Sequence, residues 1–281
     1  MIGASDFDVA TLIEGFGARG SRSGPKRNMG AGFLMPFLDR DAVAAVADSA
    51  AVLEFFYGDP AEELVAFAKS GGALVSWQVG SADEARAAAD AGCDFVIAQG
   101  VEAGGHVRGT VGVLTLLDAV LDAVDIPVLA AGGVASARGM AAAIAAGADG
   151  VRVGTRFVVA EESGAHPDYQ AALIAAGAAD TVLTDEFKVY WPDAPHRVLR
   201  SSLDAARKLP GEASGASYPD GGAIPAFAPS PPSAAVTGDI SALAQYAGES
   251  VGAATGVVPA AQIVDELVSG AERLLGRFST S

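Results

Sequence analysis

Hydrophobic positions along the chain fall into short apolar runs separated by Ala-rich stretches of helical period. Runs at residues 29–34, 52–56, 73–79, 95–99, 126–131 and 151–157 are apolar at most positions, and Gly, Asp or Pro bounds most of them. Runs of this length without strict alternation predict strands covered on both faces. The stretches between them predict helices. Ser81 stands three residues before Glu84, the spacing of a helix-capping pair, and the Ala-rich run that follows stops at Gly92. Ser136 opens a second such run that stops at Gly147. Buried strands spaced by helices specify a parallel sheet with helices packed outside it.

Met1-Ile2-Gly3 reads as the tail of a further strand, which brings the count to seven. A closed TIM barrel needs one more, because strand number, tilt and stagger must agree for the sheet to close. The expected fold is therefore α/β, a TIM-type (β/α)8 barrel that lacks its first strand; an open doubly wound sheet is the alternative. Residues 1–195 are expected to form the barrel with its incomplete start. Residues 196–242 are expected to form a small Pro/Gly-rich insertion over the barrel mouth, with 210–232, including Pro229-Ser230-Pro231-Pro232, as a loop without regular structure. Residues 243–281 return to the barrel, where Ile263, Leu267, Leu274 and Leu275 mark one face of a last helix.

Charge and composition narrow the function. The 281 residues carry 18 basic and 34 acidic side chains, a net charge of −16, which argues against nucleic acid as a partner because phosphate backbones require a basic surface. The single cysteine, Cys93, can form neither an internal disulfide nor a thiolate zinc centre, which fits a reducing compartment. No apolar run reaches membrane-spanning length and no signal pattern opens the chain, so a cytoplasmic protein with no membrane partner is expected. His166 and His196 lack partners at metal-ligand spacing; helix-start or insertion-edge roles are expected, and no metal site. Trp77 alternates with Gln78 and should face the opposite side of its strand, packing against helices.

The chemistry concentrates at strand ends, where TIM barrels carry their active sites. Gln99-Gly100-Val101-Glu102-Ala103-Gly104-Gly105-His106 ends one strand run. Its paired glycines allow backbone to approach a flat ligand, and the near-neutral imidazole of His106 suits general-base work. Arg108 follows, as a solvated rim charge or, alternatively, as a contact for an anionic nitronate or carboxylate. Ala131-Gly132-Gly133-Val134 and the run 150–157 close the next two strands on glycine. Loops in that order form the usual phosphate site of such barrels, with Thr155 adding a hydroxyl.

These segments, with Tyr246-Ala247-Gly248-Glu249-Ser250-Val251-Gly252, are where the chain resembles the nitronate monooxygenases, formerly 2-nitropropane dioxygenases, which are FMN-dependent TIM-barrel flavoproteins. The resemblance implies that Gly132, Gly133, Gly154 and Thr155 hold the FMN phosphate. It implies that Gln78, Ala103, Gly104 and Gly105 line the flavin, that Gly248 and Ser250 belong to a flavin-side loop, and that His106 is the catalytic base. The implied activity is oxidative denitrification of an alkyl nitronate or nitroalkane with O2. Two alternatives are an FMN-dependent NAD(P)H reductase acting on quinones or enoyl thioesters, and a non-catalytic flavin-binding protein. The open strand edge of an incomplete barrel would also promote self-association into a homo-oligomer.

Overall fold

Strand formation follows the apolar runs closely, because their β-branched and aromatic side chains suit a pleated surface covered on both sides. The computed structural model describes residues 2–3 and 29–278. Strands β1 (Ile2–Gly3), β2 (Gly30–Leu34), β3 (Val52–Phe56), β4 (Leu74–Val79) and β5 (Phe95–Gln99) pair in parallel, each with the next. With β7 (Val128–Ala131) and β8 (Gly150–Arg152) they form a sheet of order β1-β2-β3-β4-β5-β7-β8 among the described residues. The fold is thus mixed α/β of the TIM-barrel-like type.

The chain forms two compact units, one of Met1–Ala98 with Thr115–Leu129 and one of Gln99–Leu114 with Ala130–Ser281. In the first, strand register lines up Phe33, Phe55 and Trp77. Their rings stack at centroid distances of 5.7 and 5.2 Å, and the Trp77 indole N–H donates to Gly58 O at 3.0 Å. Gln78 takes the other face of β4, as the strand period requires, and is buried. Helices α1 (Arg40–Ala47), α2 (Glu62–Lys69) and α3 (Ala82–Asp90) alternate with these strands. α3 starts where Ser81 Oγ accepts from the Glu84 amide at 3.2 Å and stops at Gly92, whose φ of +89° suits glycine. Helix α4 (Val113–Leu121) precedes β7.

The second unit departs from the sequence reading in three places. The expected strand 151–157 ends at Arg152, and Thr155–Val158 forms helix α6 instead. A short apolar run does not by itself distinguish strand from helix, and here Gly154 breaks it, its carbonyl accepting from the Phe157 amide. The supposed loop 210–232 contributes to a small antiparallel sheet of β11 (Ala213–Ser217), β12 (Ala223–Pro225) and β13 (Thr237–Gly238), in the order β12-β11-β13. Its strands bury only small or isolated side chains, such as Ser214, Ala216 and Ile224, so hydrophobic alternation is faint there. The final helix, α9 (Ala260–Leu275), buries Ile263, Leu267, Gly270 and Ala271, while Leu274 and Leu275 are half-buried. Gly270 is needed for packing: a Cβ there would lie 2.5 Å from Ala137 Cβ in helix α5 (Ala137–Ala145).

His166 caps helix α7 (Pro167–Ala175), its Nδ1 accepting from the Asp168 amide at 3.1 Å. Strand β9 (Thr181–Thr184) pairs antiparallel with β10 (His196–Leu199), which also pairs with β6 (Gly105–His106) and sets His106 opposite His196. Helix α8 (Arg200–Ala206) follows β10. Among the described residues no helix is long and apolar enough to cross a membrane.

Candidate functional site

Loops following β5, β7 and β8 join the 248–250 segment, all within the second unit, around a shared cavity. Ala103 and Gly104 line it from the first loop, Gly132 and Gly133 from the second, Gly154 and Thr155 from the third, and Gly248 and Ser250 from the last. Two more lining residues, both inside the sequence motifs but given no site role there, carry functional groups: Gln99 at the end of β5 and Arg152 at the end of β8. Among the described residues Arg152 is the one ionisable side chain in the lining, a cation in a chain of net charge −16. Its place two residues before Gly154, inside the same strand-end motif, was the available signal.

The glycines of the lining divide by what surrounds them. A Cβ on Gly104 would lie 2.4 Å from the Gly248 amide nitrogen, and one on Gly132, at φ +87°, would lie 2.8 Å from Gly100 O. Those two are required by loop-on-loop packing. Gly154 is different: φ is −111° and a Cβ would meet no protein atom within 4 Å. Among the described residues nothing forbids a side chain there, so packing does not require this glycine.

Hydrogen bonds stitch the loops together. The Thr155 hydroxyl accepts from the Gly248 amide at 3.0 Å, and the Glu249 amide donates to Glu102 O at 2.9 Å. Buried Arg197 donates to Val101 O at 3.0 Å through Nη2 and pairs with the Glu249 carboxylate at 3.1 Å. Glu102 turns its carboxylate to the start of α4, where both oxygens accept from the Val113 amide at 3.0 Å. It therefore serves the helix, not the cavity.

Three of the residues expected at the site lie outside the lining. Gln78 is buried in β4 of the first unit. Gly105 and His106 form β6, and Gln99 links the cavity to them by donating to His106 O at 3.0 Å. The His106 ring lies in an aromatic enclosure, stacked on Trp191 at 3.8 Å, with Tyr246 at 5.6 Å and His196 at 5.2 Å. Burial, reinforced by the neighbouring His196, pulls the His106 imidazole down to a pKa of about 3. His196 is itself buried and held below the ordinary range, chiefly by desolvation. Its Nδ1 bonds Ala194 O at 2.8 Å and its Nε2 accepts from the Phe187 amide at 3.3 Å, so its role is to hold backbone.

Comparison with known proteins completes this picture. The nitronate monooxygenase family profile matches residues 29–270. A (3aS,4S,5R,7aS)-5-hydroxy-7a-methyl-1-oxo-octahydro-1H-indene-4-carboxyl-CoA dehydrogenase of Rhodococcus jostii is 44% identical over 144 residues, 51% of this chain and 39% of that protein. A probable nitronate monooxygenase of Staphylococcus aureus is 38% identical over 143 residues, 47% of this chain and 40% of that protein. The chain thus spans about two fifths of the length of these curated relatives. Nitroalkane oxidase from Streptomyces ansochromogenes superposes with a TM-score of 0.78 at 27% identity, covering 99% of this chain and 89% of that one. With a profile match over most of its length, the chain belongs to the nitronate monooxygenase family.

Proposed function

We propose that the protein is an FMN-dependent oxidoreductase that oxidises small alkyl nitronates with O2. The observation that carries this reading is the cavity: a glycine-walled cradle whose single charged lining group is the cation Arg152. Such a lining suits an anionic ligand that backbone must approach closely, and the open space at Gly154 is space that a Cβ would fill. Gly132, Gly133, Gly154 and Thr155 would hold the terminal phosphate with Arg152, and Ala103, Gly104, Gly248 and Ser250 would flank the remainder. A single terminal phosphate matches a site with one cation better than the bridged diphosphate of FAD. Bound there, FMN would supply the electron transfer between nitronate and oxygen.

His106 is the proposed substrate-facing group. With its pKa pulled to about 3, its imidazole is uncharged at pH 7 and poorly matched to removing a carbon-bound proton, since a general base works best near the operating pH. An already deprotonated nitronate needs no such step. A neutral imidazole can still orient the anion through a hydrogen bond, so this reading takes nitronates rather than neutral nitroalkanes as substrates.

The second reading, an FMN-dependent reductase acting on a thioester, is favoured by the 44% identity to a carboxyl-CoA dehydrogenase. One set of assays separates the two. The nitronate reading expects noncovalent FMN in the purified protein and O2 uptake on propyl-2-nitronate without NADH. FMN content with NADH oxidation only in the presence of a thioester or quinone would establish the reductase instead. Absence of flavin after incubation with FMN would overturn both.

A further inference from the structure

Gly154 and Thr155 join β8 to α6, and helix α9 backs the segment that carries them. Buried Ala160 packs with Ile263 and Leu267 of α9, and Val153 and Phe157 pack against the same cluster. The Glu161 amide donates to Val258 O at 3.0 Å, and Glu162 Oε2 accepts from the Ala260 amide at 2.8 Å, so the chain after α6 is tied to the start of α9. Helix α5, which follows the Gly132-Gly133 loop, meets the same helix where Ala137 lies against Gly270. Both glycine loops of the proposed phosphate seat therefore lead into elements that rest on α9.

One charged side chain crosses this apolar contact. Arg156, next to Thr155, has a side chain only 7% exposed and stands outside the cavity lining. Its Nη2 donates to Glu266 Oε2 at 3.1 Å, and Glu266 Oε1 accepts from Gln262 Nε2 at 2.8 Å one turn earlier in α9. Arg156 Nη1 is buried without a hydrogen-bond partner among the described residues. Desolvating a guanidinium is expensive, and one half-exposed carboxylate offsets only part of that cost. An apolar side chain of similar volume would stabilise the contact as well or better, so stability alone does not account for the arrangement. Register does. A hydrogen-bonded ion pair admits one alignment of α6 on α9, where an apolar contact admits several.

We propose that Arg156 is a positioning residue for the anion seat: its pair with Glu266 fixes α6 on α9 and so holds Gly154 and Thr155 where a phosphate meets them. Donors held in place before binding spare the ligand the entropy of ordering them. This rests on the reading of that turn as the seat of the FMN phosphate, and the two readouts below keep the claims separable.

The first readout compares FMN with riboflavin, which differ by the phosphate alone, in equilibrium titrations of the flavin-free protein. The ratio of riboflavin Kd to FMN Kd measures what the phosphate contributes. Glu266→Ala, at an exposed helix position, leaves Arg156 and every lining residue in place. It should lower the ratio about tenfold through weaker FMN binding, with riboflavin binding nearly unchanged. Glu266→Gln, which keeps an acceptor for Arg156 Nη2, should retain most of the native ratio. Charge alone predicts the opposite sign, because a buried guanidinium freed of its carboxylate attracts a phosphate more strongly. A ratio unchanged or raised in Glu266→Ala would therefore overturn the proposal. Equal losses for both flavins would overturn it too, as would a Glu266→Gln ratio no better than that of Glu266→Ala. A ratio near one in the unaltered protein would remove the phosphate assignment and the proposal with it.

The second readout needs no flavin. In hydrogen exchange followed by peptide mass, residues 153–160 should exchange about tenfold faster in Glu266→Ala, with β9 and β10 unchanged. Equal rates at 153–160, or acceleration that spreads to β9 and β10, would overturn the positioning role. If the unaltered protein binds neither flavin, the FMN reading fails by itself, and the exchange pattern still judges the tie between α6 and α9.

Discussion

Trp77 in the first unit and Trp191 in the second are both nearly buried, at 1% and 7% exposure, and both stack on a neighbouring ring. Their partners and supports differ. Trp77 stands on a regular strand, in register with Phe55 and Phe33, with its indole N–H satisfied by Gly58 O. Trp191 stands on a turn between two residues of positive φ and stacks on an imidazole whose basicity its burial suppresses. The same side chain stacks on aromatic hydrocarbon rings from a regular strand in one unit, and on a titratable imidazole from a turn in the other. The difference lies in support, which residue type alone does not encode.

The comparison breaks first on stability. Trp77→Ala should lower the unfolding free energy by about 3–5 kcal/mol, read from urea denaturation, because it opens a large cavity inside a regular strand array. A loss below about 1 kcal/mol would show that the ladder is not structural.

Within the cavity the glycines offer a parallel contrast. Gly154→Ala should weaken FMN binding about a hundredfold or more, ~2.7 kcal/mol, while leaving the denaturation midpoint unchanged, since its Cβ meets no protein atom. Gly104→Ala should lose stability as well, because the added Cβ would strike the Gly248 backbone. Equilibrium flavin titration beside denaturation checks both, and retention of full FMN affinity by Gly154→Ala would remove the phosphate assignment.

Acid should act on the second unit before the first. The His106 and His196 imidazoles are held below the ordinary value of about 6.5, so the unfolded chain binds protons that the native one refuses. Stability contributed by keeping them neutral is full above pH 6.5 and is lost as pH falls towards the folded values. Between pH 6.5 and 5 that amounts to up to about 2 kcal/mol for His106. Denaturation midpoints across this window should fall, and His106→Asn should flatten the slope. A slope unaffected by that substitution would place the proton uptake elsewhere.

The smallest effects should be the same in both units. Ser81→Ala and Ser136→Ala each remove a helix cap, since Ser136 Oγ accepts from the Gly139 amide at 3.2 Å as Ser81 Oγ does from Glu84. Each should cost about 1 kcal/mol. Unequal losses would show that the two units do not carry their regular helices alike.

The sequence by itself determined the regular part of this protein. Apolar runs and capping serines specified β2–β5 and β7 and helices α3 and α5, because buried strands and capped helices draw on local periodicity and local hydrogen bonds. It also marked the glycines that line the cavity, since backbone that must pass close to other groups leaves a glycine at a strand end. Tertiary structure decided the rest. Whether a glycine is wedged, as at Gly104, or open, as at Gly154, depends on loops far away in the chain. So does the fate of a charged side chain: Glu102 turns to a helix start, Arg197 clamps two loops, and Arg152 reaches the cavity. His106 shows the reason most plainly. An isolated imidazole near a loop reads as a base, but Trp191, Tyr246 and His196, brought around it from distant segments, remove the water that would stabilise its charge. Periodicity is a property of neighbours along the chain, whereas desolvation is a property of neighbours in space.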